Sequence, residues 1–187
     1  AIAHIIDSCW KIHERSNSKL LKPICVLHEQ AGSMAMDAYS RFTGKPGLMM
    51  VTSGPGATNL LTGIACSYYD SIPGIYITGQ VRTWELSKKN QRQLGFQEFD
   101  IISSVKPTTK YAVHLDNKDK VQYELEKACY LAKNGRPGPV WLDIPLDIQN
   151  SDIKIQKNKS FFYKNLNILS SNPNPKEKEI NLVIKNL

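Results

Sequence analysis

Apolar positions along this chain alternate between short continuous runs and longer stretches of helical spacing. The runs are Pro23-Ile24-Cys25-Val26-Leu27, "GLMMVT" (47 to 52), "GIYITG" (74 to 79), "KYAVHL" (110 to 115) and "PVWLDIP" (139 to 145). Runs of this length predict strands buried on both faces of a parallel sheet. Between them, Ala31, Met34, Ala35, Ala38 and Phe42 follow the spacing of one helix face, with Gly44 and Pro46 as its stop signal. Leu60, Leu61, Ile64, Ala65 and Tyr68 mark a second helix, and Val121, Leu125, Ala128, Cys129 and Ala132 a third. A short helix over 98 to 104 completes the series. Strands alternating with helices predict an α/β domain of three layers, α/β/α, with a mainly parallel sheet.

The stretches that break this rhythm carry the organisation. Residues 80 to 95, "QVRTWELSKKNQRQLG", are polar and without period, the kind of long loop that compact domains keep for function. From Gln149 the composition shifts to Lys, Asn and Ser. "SSNPNPKEKE" (170 to 179) reads as a linker, and "EINLVIKNL" as the start of an amphipathic helix. The expected division is one domain over 1 to 148, and over 149 to 187 a linker with the beginning of a truncated second domain. The chain opens inside a helical pattern, "AIAHIIDSCWKIHE", so the first domain is expected to lack its first residues.

Charge changes this picture little. The net charge is +7, but from Ser151 onward seven lysines face three acids, which leaves the first 150 residues nearly balanced. No basic stripe interleaved with aromatics points to nucleic acid. The 41% hydrophobic content supports a core, and no apolar run reaches the roughly 20 residues of a membrane-spanning helix. Cys9, Cys25, Cys66 and Cys129 lie far apart in apolar contexts without metal-ligand spacing. They read as buried, reduced thiols, and the expected location is the cytoplasm.

Two phosphate loops are excluded by spacing. "GPGATN" lacks the third glycine of the dinucleotide fingerprint, and "TGKP" lacks both the earlier glycine and the hydroxyl residue of a phosphate-binding P-loop. Glu29 directly follows the first apolar run, so it is expected at the carboxyl end of a strand, where open α/β sheets bind ligands. Taken alone, it reads more readily as a first-turn helix acid favoured by the macrodipole than as a catalyst. His28 beside it reads as structural, and the Gly54-Pro55-Gly56 turn alone reads as a plain strand-to-helix connection.

The joint pattern is more specific. "HEQAGSMAMDAYSRFTGKPGLMMVTSGPGATNLLTGIACSYYDSIPGIYITGQV", then "GFQEFDI", then "GRPGPVWLDIPLDIQ" resembles the pyrimidine-binding domain of thiamine-diphosphate enzymes, in the acetolactate synthase-like branch. The resemblance covers about residues 1 to 150. It implies the thiamine-diphosphate-binding fold and a 2-oxo-acid decarboxylating carboligase. Alternatives are a decarboxylase or lyase that joins nothing, or a ligand-binding domain without chemistry. Retention of Glu29 speaks against the last.

The resemblance also implies roles. Glu29 would be catalytic, hydrogen-bonding the 1′ nitrogen of the cofactor's aminopyrimidine and favouring the imino tautomer that accepts the thiazolium proton. A carboxylate in such a water-poor cleft is expected to have a raised pKa. Pro55 and Gly56 would border the aminopyrimidine, and Asn59 would lie near the cofactor or a partner domain. Phe96 and Gln97 would stand over the reacting carbon, Gln97 orienting a carboxylate or carbonyl; plain loop packing is the bland reading of Phe96. Magnesium and the diphosphate would be held by a diphosphate-binding domain of the same protein, absent from this chain, which itself supplies no metal ligand. FAD is left open. A homodimer or homotetramer is implied, since such sites form between subunits. "RQLG" replaces the "TDA" that true acetolactate synthases place before the phenylalanine, so the identity of the substrate is not implied.

Overall fold

The computed structural model describes residues 1–17, 21–88 and 90–165. Its elements in chain order are α1 (Ala3–Arg15), α2 (Glu29–Thr43), β1 (Gly47–Val51), α3 (Pro55–Thr58), α4 (Leu61–Tyr69), β2 (Gly74–Gln80), α5 (Ile101–Val105), β3 (Tyr111–His114), α6 (Val121–Lys133), β4 (Pro139–Pro145), α7 (Leu146–Gln149) and α8 (Phe161–Lys164). The expected linker and the helix starting at "EINLVIKNL" fall outside the described residues.

The four strands form one parallel sheet of order β1-β2-β4-β3. Gly74 of β2 pairs with Gly47 of β1 and Pro139 of β4, so the central strands start in step. Side-chain alternation along them separates two cores. Ile77, Val140, Leu142 and Ile144 meet Val121, Ala128, Ala132 and Ile148 of α6 and α7 on one face. Met49, Val51, Tyr76 and Trp141 meet Met36, Leu60, Ile64, Ile101 and Val105 of the α2, α4 and α5 side on the other. The three-layer α/β architecture follows. Tyr76 and Trp141, adjacent across β2 and β4, stack with centroids 5.4 Å apart.

Two expectations are corrected. The run 23 to 27 is not a sheet strand: it precedes α2 outside the ladder, with Ile24 77% and Leu27 108% exposed. The predicted apolar face of α2 is its outer face. Ala31, Met34, Ala35, Ala38 and Phe42 are all exposed, and the helix instead buries Gly32, Ser33, Met36, Asp37 and Ser40. Those small and polar residues are satisfied in place. Ser67 Oγ donates to Asp37 Oδ2 at 2.7 Å, and Gly47 N donates to Ser40 Oγ at 2.8 Å. Small side chains let α2 and α4 approach closely, since a Cβ on Gly63 would stand 2.0 Å from Ser33 Oγ.

Smaller differences follow the same logic. The helix expected over 98 to 104 is α5, begun at Ile101 because Asp100 caps it by accepting from Ser103 N at 3.1 Å. The cysteines are free but not buried: Cys25, Cys66 and Cys129 are exposed and Cys9 is half-buried. For Cys66 of α4 and Cys129 of α6, apolar neighbours in sequence lie around the helix and do not fix which way the thiol points, and Cys25 lies in the exposed run before α2. Residues 156–161 turn back onto α6, where Phe161 N donates to Glu126 Oε2 at 2.8 Å and the Phe161 ring meets Tyr123 and Tyr130.

At the carboxyl ends of the strands a polar network replaces the apolar core. Asp143 of β4 is 2% exposed and accepts from Thr78 Oγ1 at 2.7 Å and Gln80 Nε2 at 3.2 Å, with His114 Nδ1 at 2.9 Å. Burial pushes the His114 imidazole pKa down, but Asp143, Asp116 and Asp100 outweigh it, and the net shift is upward. A raised histidine pKa adds stability that is present in full below the unfolded value of about 6.5 and is lost as pH rises through the folded value. His114→Gln should therefore narrow its stability gap to wild type as pH is raised. Urea unfolding across pH 5 to 9 checks this, and a gap that widens with pH contradicts it.

Candidate active site

Glu29 opens α2, and the chain enters that helix through a side-chain cap, His28 Nδ1 accepting from Gln30 N at 3.2 Å. The His28 reading as a structural residue agrees with this. Glu29 faces the turn that leaves β1. Asn59, directly after α3, donates from Nδ2 to Glu29 Oε2 at 3.0 Å. Beneath them Gly56 packs against the Thr52 side chain: a Cβ on Gly56 would stand 2.8 Å from Thr52 Cγ2 and 3.5 Å from Glu29 Oε1. Pro55 lies at the first position of α3 and is exposed.

Gly54 joins this turn to the second site segment. It has φ +60° and ψ −120°, a conformation open essentially to glycine, and a Cβ there would stand 2.6 Å from the Gln97 carbonyl oxygen. Gln97 itself adopts φ +59°. The structure thus brings Glu29, Gly56 and Asn59 into one cluster and lays the Gln97 backbone on the adjoining Gly54. Phe96 stays 86% exposed. A groove of about 470 Å³ lies nearby, lined by Ser87, Gln91, Arg92, Glu98, Phe99 and Asp100 among others, and it includes none of the expected site residues.

The charge on Glu29 is set by its neighbours in this chain. The Glu29 carboxyl is held below its ordinary range, because Asn59 and its own backbone N–H donate to the ionised form, and only modest burial opposes them. The side chain is half-exposed and water still reaches it. Two residues outside the sequence-based set also shape the site: Gly54 by its close contact, and Glu98, which binds the loop before Gln97. The signal for Glu98 was an acid set directly after the proposed substrate residue. Among the described residues no group of three or more His, Cys, Asp or Glu is placed to hold a metal ion.

The geometry can be set beside known proteins. A family model for the thiamine pyrophosphate enzyme N-terminal TPP binding domain matches residues 4–104. The chain belongs to this family. It is similar to the acetolactate synthase large subunit of Buchnera aphidicola subsp. Acyrthosiphon pisum, with 42% identity over 159 residues, 83% of this chain and 26% of that protein. It is 43% identical to the Porphyra purpurea large subunit over 79% of this chain and 24% of the relative. With the isozyme 3 large subunit of Escherichia coli it shares 42% over 71% of this chain and 22% of the relative. The chain spans about a quarter of the length of these relatives. Every expected site residue of this thiamine pyrophosphate enzyme domain lies inside the matched 4–104 segment, whereas His114 and Asp143 lie beyond it.

Asn59→Ala should raise the Glu29 pKa toward the ordinary glutamate value of about 4.3. A depressed carboxyl pKa adds stability present above the unfolded value and lost as pH falls through the folded value, so the variant should lose that contribution near neutrality and resemble wild type in strong acid. Carboxyl ¹³C NMR titration reads the shift, and an unchanged Glu29 midpoint contradicts the assigned hydrogen bond.

Proposed function

We propose that this chain is the pyrimidine-binding part of a thiamine-diphosphate-dependent 2-oxo-acid decarboxylating carboligase of the acetolactate synthase type. The observation that carries the reading is Glu29, oriented by Asn59 and set beside Gly56, where a side chain would crowd both Thr52 and the carboxylate. A flat heteroaromatic ring fits beside such a glycine. The acid beside it offers a carboxylate to a ring nitrogen, and the donor set suits an aminopyrimidine.

In this reading Glu29 holds a proton at the 1′ nitrogen, Asn59 fixes the carboxylate's rotamer, and Pro55 and Gly56 border the ring. Gln97 presents an amide to the substrate's carboxylate or carbonyl, and Phe96 supplies an apolar wall. When bound, the cofactor supplies an electron sink for loss of carbon dioxide from a 2-oxo acid. The diphosphate and its magnesium are assigned to a diphosphate-binding domain of the same protein, with residues 1 to 148 as the pyrimidine domain. Nothing in the proposal requires a flavin. The protein is placed in the cytoplasm, in keeping with four free cysteines.

Assembly as a homodimer or homotetramer is supported by the outer face of α2. Met34 is 45% and Phe42 93% exposed there, and Leu27 and Ile24 extend the apolar surface ahead of the helix. Soluble proteins seldom leave such patches open unless a partner covers them.

Glu29→Gln in the full-length protein should cut turnover by about 10²- to 10⁴-fold with folding unchanged, since an amide fills the space but cannot supply the proton. Exchange of the cofactor's thiazolium proton, followed by NMR, tests this directly; an unchanged exchange rate would overturn the assignment. For assembly, Phe42→Glu should shift the sedimentation profile toward monomer. A profile unchanged from wild type would place the subunit contact elsewhere.

A further inference from the structure

The segment that carries Phe96 and Gln97 is held by a carboxylate to which the proposed chemistry gives no part. Glu98 follows Gln97 directly, and both of its oxygens face the preceding loop. Oε1 accepts from Ser87 N and from Ser87 Oγ, each at 2.6 Å. Oε2 accepts from Leu94 N at 2.8 Å and Gly95 N at 3.3 Å. One side chain therefore draws the two ends of the 87–95 loop together, through charge-assisted bonds roughly twice as strong as neutral ones. Burial pushes the Glu98 carboxyl up, but these four bonds outweigh it and hold it below the ordinary carboxylate range, so it is ionised at neutral pH.

The surroundings leave the segment little freedom. A Cβ on Gly95 would stand 2.8 Å from Val81 Cγ1 and 2.9 Å from the Glu85 carbonyl oxygen, so the loop's end is pressed against the strand exit. Downstream, the Phe99 carbonyl accepts from Gln80 Nε2 at 2.9 Å, and Gln80 is itself tied to Asp143. Between these anchors Gln97 adopts a left-handed backbone that a non-glycine residue keeps only where its neighbours impose it. Its carbonyl rests on Gly54, beside the turn that bears Glu29's partners.

We propose that Glu98 is a positioning residue: by closing the 87–95 loop on its carboxylate it holds Gln97 in its left-handed conformation over Gly54, and so sets how Phe96 and Gln97 meet the substrate. This rests on the 2-oxo-acid reading above. Glu98→Gln keeps the volume but turns an amide NH₂ toward backbone N–H groups, which removes acceptors from one end of the loop.

The test uses the full-length protein and two readouts. In Glu98→Gln, amide hydrogen exchange over residues 86–97 should quicken at least tenfold while β2 and β4 keep their protection. kcat/KM for a 2-oxo acid should fall at least tenfold, chiefly through KM, with thiamine diphosphate affinity within twofold of wild type. Gln91→Ala, which removes the acceptor of Lys88 N, should leave the exchange of Ser87, Leu94 and Gly95 and the value of kcat/KM unchanged. Unchanged loop exchange overturns the proposal, and so does faster exchange with unchanged KM and substrate preference. Lost protection in β2 and β4 also overturns it, since Glu98 would then hold the whole fold. If wild type turns over no 2-oxo acid, the functional reading fails by itself and the exchange measurement alone decides on Glu98.

Discussion

The buried Asp143 carboxylate is the constraint on which the site end of this domain depends. A charge taken out of water must find donors, and each donor it finds becomes tied to it. Here the donors come from β2 and β3, which flank β4 on its two sides, so one group locks the carboxyl ends of three strands in register. Thr78 passes the tie to Trp141 Nε1 at 3.0 Å, which orients the ring that stacks on Tyr76. Gln80 passes it outward to Phe99. The sheet's interior and the loop over its edge are thereby linked through one side chain.

A different solution holds the other side of the site. α2 presents Met36 together with small and polar residues to the sheet and leaves Met34 and Phe42 outside. That inversion is stable because each buried polar group has a partner, Asp37 with Ser67 and Arg41, Ser40 with Met36 O and Gly47 N. It also brings α2 near enough to α4 for Asn59, between α3 and α4, to reach Glu29 at the start of α2. Close helix packing and the orientation of the acid are thus one geometric fact. The outward apolar face, Met34 and Phe42 among three alanines, lies on the opposite side of the helix.

What was legible in the sequence follows from this division. β2 and β4 are legible almost to the residue because strands covered on both faces are largely apolar, and β1 is legible as an apolar run although Leu48 on its outer side is exposed. β3 was read for the same reason, although its residues are only half-buried at the sheet edge. The run 23 to 27 and the face of α2 have the same apolar character and were misplaced, because composition records that a surface is covered but not whether its own chain covers it. The network was hidden for the opposite reason. Asp143 sits inside "PVWLDIP", where its neighbours read as strand and its partners, 29 and 65 residues away, share no local pattern with it. Of the site, Glu29 and the glycine turn were legible through their joint resemblance to a family, whereas Gly54's contact with Gln97 exists only once the loop is folded.

The charge on Glu29 shows how far one chain's residues carry the chemistry. Asn59 and the helix's first amide favour the ionised form, and they do so in a cluster still open to water. In the proposed reading the Glu29 carboxylate shares a proton with a ring nitrogen near neutral pH, which calls for the reverse shift, and of the influences on Glu29 within this chain only desolvation has that sign. Neither Asn59 nor Gly56 can supply it, since both are already in place while the pKa is low. Around the cluster in this chain, desolvation is the smaller influence. Glu29 lies on the side of α2 that meets the glycine turn, away from the exposed face of Met34 and Phe42, so the inversion of α2 orients the acid without drying it.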